Sequence, residues 1–270
     1  MYVPKYWVRK QQDRLTCLGW SDESAEAAER LAGERLAKAQ RDKDAPGEDW
    51  DYYPSLPVKE EILAVPQATG VTLLITRNRA GVQVLNTDRA AFIDIDLPAP
   101  RGNAGSFLRR LFGKPAAVPD PAAAALEIVR DWAESNDALL RAYRTARGLR
   151  LLRMDRLMDP ASDETDRLFT ALGTDPQYQK LCRIQKSFRA RLTPKPKRVN
   201  CPASPGSHPR TDPKMQAAFA QWLASYERLC QNRPVCAYLA DYGNGRPSEA
   251  ARAVAELHDR MTLQGEGPLV

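Results

Sequence analysis

Two strand-forming runs joined by a short turn constrain this chain more than any other feature. Val71-Thr72-Leu73-Leu74-Ile75-Thr76 leads through Arg77-Asn78-Arg79-Ala80-Gly81 into Val82-Gln83-Val84-Leu85-Asn86. Branched aliphatic residues favour strands, and a turn carrying Asn and Gly between two such runs closes a hairpin. A third run, Ala91-Phe92-Ile93-Asp94-Ile95-Asp96-Leu97, stops at Pro98, which cannot donate to a sheet ladder. Hairpin-connected strands require antiparallel pairing, and the flanking segments have the period of helices. The expected class is α+β: a mixed or antiparallel sheet flanked by helices, with a mainly helical C-terminal part.

Short strands are also expected at 6–9 and 15–20, then a helix to about residue 41 capped within Ser21-Asp22-Glu23-Ser24. A short helix over 59–64 and a helix from Asp120-Pro121 to 136 follow, then a strand pair over 138–144 and 149–154. A helix opening at Asp163-Glu164 and another over 181–191 complete a core of residues 1–199. Residues 200–270 are expected as a proline-rich connector, 200–213, and two helices, 214–230 and 247–262, packed on that core. Residues 42–57 and 101–121 read as loops, the second with a helical turn at 107–112.

No run approaches the ~18 apolar residues of a membrane span, and the first residues lack the apolar stretch of a signal peptide. A cytoplasmic, bacterial protein with no membrane partner is expected. The five cysteines contain no CxxC pair, so free thiols in a reducing compartment are the default. Zinc held by Cys182, Cys201, Cys230 and Cys236, with His208 as a substitute, stays open on spacing alone. Two histidines, His208 and His258, leave little room for a Ser-His-Asp or Cys-His machine, and neither a GxGxxG nor a GxxxxGK[ST] loop occurs.

The sharpest chemical feature is Asp94-Ile95-Asp96. Side chains alternate along a strand, so both carboxylates share one face about 7 Å apart. A pair so placed can hold Mg²⁺ or Mn²⁺ together with waters and phosphate oxygens, and as a solvated pair it can be replaced without loss of the apolar core. The alternative is an acidic strand face turned to water.

Arginine recurs at every third position from Arg141 to Arg156, with Asp155 the one acid among them. Arg147-Gly148 reads as a small-residue turn where backbone approaches a phosphate, and Arg150 as a fixed phosphate clamp. A second series, Lys180, Arg183, Lys186, Arg189, Arg191, Lys195, Lys197 and Arg198, lies in a stretch with no acid between Asp175 and Asp212. On one helix, Arg183, Lys186 and Arg189 would form a basic ridge. Guanidinium forks suit phosphate, so a nucleotide or nucleic acid is the expected partner. An acidic protein, or acidic helices of the chain itself, would serve such a ridge too.

Residues 15–21, 75–98, 143–152 and 181–196 resemble a family of uncharacterised bacterial proteins, which brings no activity with it. More distantly, the chain is similar to the catalytic core of the archaeo-eukaryotic primase superfamily. Asp94 and Asp96 match its acidic strand; Gly148-Leu149-Arg150 matches its G-x-H element except that Arg150 stands where histidine is the rule; Asp155 or Asp159 would supply a third carboxylate. The resemblance implies metal-dependent nucleotidyl or phosphoryl transfer. Asp94, Asp96 and Asp155 would be catalytic, with metal on Asp94 and Asp96. Arg147, Arg150, Arg183, Lys186, Arg189, Arg191 and Lys195 would gather the polyanion. A non-catalytic nucleic-acid or ribonucleoprotein binding protein is the alternative.

Overall fold

A computed structural model describes residues 1–13, 15–42, 57–98 and 121–270. The chain is α+β, and every strand pair is antiparallel. A ββα unit opens it: β1 (Tyr6–Gln12) pairs with β2 (Leu15–Ser21), and α1 (Ala25–Asp42) packs on both. Ser24 Oγ accepts from the Ala27 amide at the start of that helix. The first large sheet has the order β3-β4-β5-β9, from β3 (Glu61–Ala64), β4 (Leu73–Arg77), β5 (Gln83–Thr87) and β9 (Phe188–Arg191). The second has the order β10-β7-β8-β6, from β6 (Phe92–Asp96), β7 (Leu140–Thr145), β8 (Gly148–Arg153) and β10 (Cys236–Tyr242). Five helices complete the described chain: α2 (Pro121–Ser135), α3 (Asp163–Ala171), α4 (Pro176–Gln185), α5 (Pro213–Cys230) and α6 (Glu249–Thr262).

The β4–β5 hairpin forms as expected. Asn78 Oδ1 accepts from the Ala80 and Val82 amides, and Gly81 takes the left-handed conformation, φ 82°, that its turn requires. Leu73, Ile75 and Leu85 of this sheet belong to the same buried apolar cluster as Phe92, Ile93, Leu149 and Leu151 of the other. A smaller cluster stacks Phe219, Trp222 and Tyr226 of α5 against Val199, Cys201 and the terminal Val270.

Three expectations are corrected. Residues 59–64 hold β3, not a helix: Glu and Leu favour helices, but pairing with β4 overrides that weak propensity. The helix expected over 181–191 is α4, ending at Gln185, and the chain then turns. Lys186 adopts a left-handed φ of 48°, Ser187 follows, and Phe188–Arg191 pairs with β5. The third concerns β10, which lies between the last two helices and pairs with β7, so the C-terminal part supplies a strand as well as helices. The expected loops fall largely at 43–56 and 101–120, outside the described residues, as does the turn at 107–112. Among the described residues no helix is long and apolar enough to cross a membrane.

Candidate functional site

The two large sheets meet along β6 and β9, and a cavity of about 460 Å³ opens there. Strand β6 brings Asp94 and Asp96 to it, and the β7–β8 hairpin brings Arg147 and Arg150. Strand β9 contributes Arg189 and Arg191. Lys195 and Arg198 come from the segment around the 3₁₀ turn Pro196–Val199, and Asp175 and Tyr178 from the start of α4. Residues far apart in sequence thus share one concave surface, of the size that takes small ligands.

Asp94 and Arg150 face each other across β6 and β8. Arg150 Nε donates to Asp94 Oδ1 at 2.9 Å and Nη2 to Oδ2 at 3.2 Å, while Nη1 donates to the Arg191 carbonyl at 2.9 Å. The Arg150 side chain is 3% exposed and that of Asp94 36%. Burial opposes the guanidinium charge, but the facing carboxylate more than offsets it and holds the Arg150 pKa above the ordinary arginine value. Arg150 therefore does not stand free as a phosphate clamp, because its fork is committed to Asp94. Gly148, expected where a phosphate would meet backbone, meets protein instead: a Cβ there would lie 1.9 Å from the Ile95 carbonyl oxygen.

The remaining cations behave differently. Among the described residues, the side chains of Arg147, Arg191, Lys195 and Arg198 have no carboxylate within 4 Å and no hydrogen-bond acceptor. Arg191 Nε and Arg198 Nη1 are buried without a partner. Burial, then the charges of Arg150 and Arg198, push the Arg191 pKa down to about 10. Lys195 is held below the usual lysine value by burial, then by Arg191, Arg198, Lys197 and Arg147. Burial and Arg147 likewise lower Arg198, with Asp96 opposing. Four like charges crowd a partly dry wall, and their repulsion adds to burial in disfavouring the charges of Arg191, Lys195 and Arg198.

The rest of the arginine series is absorbed in structure. Arg141 pairs with Asp241 and Asp259, Arg153 with Asp155 and Glu164, and Arg156 with Asp155 and Glu164. Arg144 donates to the Gly148 carbonyl. The basic ridge is corrected too, because its three members are not on one helix. Arg183 lies on α4 and pairs with Asp163 and Asp166 of α3, Lys186 is the left-handed cap, and Arg189 on β9 pairs with Glu60 at 2.5 Å. Asp155 does not line the cavity; it accepts from the Leu139 amide and from Arg153, fixing the exit of β8.

Arg198, Asp175 and Tyr178 line the cavity but were missing from the expected site. Arg198 carries a signal, since it stands in the same acid-free run as Lys195. Tyr178 carries none: its hydroxyl lies 3.1 Å from the Phe92 and Arg189 carbonyl oxygens and accepts from the Arg189 amide, tying α4 to both sheets. Burial, with Cys182 and Asp94 nearby, raises its pKa well above the usual tyrosine value.

Asp94 and Asp96 line the same cavity, with both Asp94 oxygens accepting from Arg150 and Asp96 exposed. Among the described residues no group of three or more His, Cys, Asp or Glu side chains is placed to hold a metal alone. The five cysteines are free thiols; Cys182 and Cys236 sit in the main apolar cluster and Cys201 in the smaller one. Comparison with protein-family models, with curated proteins and with solved structures returns no match for the chain.

Proposed function

We propose that the cavity between the two sheets binds the phosphate groups of a nucleotide or a nucleic acid. The observation that carries this reading is the set of four cations, Arg147, Arg191, Lys195 and Arg198, gathered on one concave wall with no ion pair within 4 Å among the described residues. A polyanion would relieve their mutual repulsion and accept from their unmet donors. The test is binding of a labelled single-stranded oligonucleotide over a range of salt. Affinity is expected to fall steeply as salt rises, since each neutralised phosphate releases counterions. Replacing Arg147, Lys195 and Arg198 by Ala together should flatten the log–log salt slope by about 0.7 per lost contact. Replacing Arg183 and Lys186 should leave the slope unchanged. A slope equal in all three proteins would overturn the proposal.

A second reading, metal-dependent phosphoryl or nucleotidyl transfer of the primase kind, is favoured by the place of Asp94 and Asp96 on that same cavity. Bound there with a nucleotide, Mg²⁺ or Mn²⁺ would supply charge neutralisation at the phosphates. Asp96 is exposed and makes no ion pair within 4 Å among the described residues, so Asp96→Asn leaves the fold intact. The variant should lose the metal-dependent part of nucleotide affinity and any transfer activity while retaining metal-free binding. Equal response to Mg²⁺ in variant and wild type would leave the binding reading alone.

A further inference from the structure

A second cavity, of about 560 Å³, shares Asn78, Arg191 and Lys195 with the first. Beyond that shared wall its character changes: Ala80, Val82, Pro196 and Ala203 supply apolar surface, with the exposed Arg79 and Lys197 as further cations. Two polar groups there are unused. Ser204 Oγ is buried without a partner. The carboxamide of Asn78 accepts two backbone amides through Oδ1, while its Nδ2 donates to nothing among the described residues.

We infer that the two cavities form one bipartite site, in which phosphate lies on the shared Arg191 and Lys195 wall and the uncharged nucleoside attached to it occupies the second cavity. The inference rests on the phosphate reading above and extends it to the class of group that the phosphate carries. A volume of this order accommodates a base and its sugar. The apolar walls favour an uncharged group packed against Ala80, Val82, Pro196 and Ala203, while Arg191 and Lys195, with the exposed Arg79 and Lys197, serve the phosphate charge. Asn78 Nδ2 can donate to a base or sugar oxygen, and Ser204 Oγ can donate or accept. Among the described residues no aromatic side chain lines the cavity, so these residues hold the nucleoside by its edges and by apolar contact, not by stacking on a ring.

The test is calorimetric titration of the full chain with inorganic triphosphate, ATP and a single-stranded hexanucleotide. ATP is expected to bind at least tenfold more tightly than inorganic triphosphate. Ala203 is exposed at the cavity wall, so Ala203→Trp fills the space without disturbing buried packing. The variant should lose the tenfold advantage of ATP with the triphosphate affinity unchanged, and Ser204→Ala should reduce the advantage in part. A fall in hexanucleotide affinity in Ala203→Trp would assign the subsite to a strand as well as to a free nucleotide, and retention would assign it to the free nucleotide; both support the inference. Equal affinities for ATP and triphosphate in the wild type, or an ATP advantage that survives Ala203→Trp, would overturn the subsite and leave the phosphate reading standing. If neither ATP nor triphosphate bound, both readings would fall together.

Discussion

Arg150 is nearly inaccessible to water while its partner Asp94 is only partly covered, and that asymmetry decides what the pair does. A guanidinium taken out of water is costly unless a carboxylate faces it and its other donors are met. Here both conditions hold, through Asp94 and the Arg191 carbonyl. The sequence suggested a solvated acid pair that could be replaced without cost to the fold; the structure makes Asp94 the counter-charge of a buried group. Asp94→Asn is therefore expected to destabilise the protein by about 3 kcal/mol, the low end for breaking a buried pair because Asp94 itself reaches solvent. The shift of the urea midpoint measures it. A midpoint equal to that of the wild type would mean that the pair contributes nothing. Like charges on one strand face need a cation to neutralise them, as the spacing implied, and for Asp94 that cation is a side chain seven positions past Tyr143, on a neighbouring strand.

Helix α6 docks on the second sheet through a face that includes a fully buried histidine. His258 lies 4.6 Å from the Tyr143 ring and 5.3 Å from the Phe92 ring, and its Nδ1 is 3.1 Å from Asp259 Oδ1. Its Nε2 is buried without a partner. Burial pushes the His258 pKa down, and Arg150 adds to this, while the hydrogen bond to Asp259 and the charges of Asp259 and Asp94 pull it partly back. The folded value therefore lies below the unfolded value of 6.5. Below that pH the unfolded chain takes up a proton that the folded chain refuses, so the contribution present above 6.5 is lost as pH falls toward the folded value. The urea midpoint is expected to drop between pH 7.5 and 5.5, and to drop less in His258→Gln. His208, also lowered by burial, titrates in both proteins, so their difference isolates His258. An equal drop would remove His258 from the docking energy. At this scale the sequence was legible where strand-forming apolar runs flank a short turn or stop at proline: the β4–β5 hairpin, the β7–β8 pair, and β6. It was opaque where tertiary pairing outweighs local preference. Glu61-Ile62-Leu63-Ala64 suits a helix until β4 pairs with it. The apolar spacing of 181–191 runs on without a Gly or Pro, so nothing local announces that Lys186 takes a left-handed turn and ends α4.

Across the whole molecule, the site exists because two sheets are held at a fixed separation. That is also why half of it was hidden in the sequence. The acid pair is a local pattern, and Arg147 and Lys195 stand in visibly basic runs. Which cations stay free depends instead on partners far away in the chain: Glu60 occupies Arg189, and Asp163 and Asp166 occupy Arg183. Two polar ties cross between the sheets beside the cavity, and a third holds the start of α4 to β6. Arg150 Nη1 reaches the Arg191 carbonyl, the Tyr178 hydroxyl bridges Phe92 and Arg189, and the Asp175 amide donates to the Asp94 carbonyl. Beneath them one apolar cluster runs through both sheets, so neither has a core of its own to fall back on. The two sheets should therefore open as one cooperative unit. Tyr178→Phe keeps the ring packed against Phe169 but leaves the Arg189 amide without its acceptor, a loss of about 1 to 3 kcal/mol for a buried group left unmet. Hydrogen exchange followed at the amides of β5 and β8 gives the opening free energy of each sheet. In the wild type the two strands should share one value, and in Tyr178→Phe both should fall by the same amount, because the tie belongs to the unit and not to one sheet. A fall confined to β5, with β8 unchanged, would show that the sheets open separately and that the cavity between them is not a rigid site.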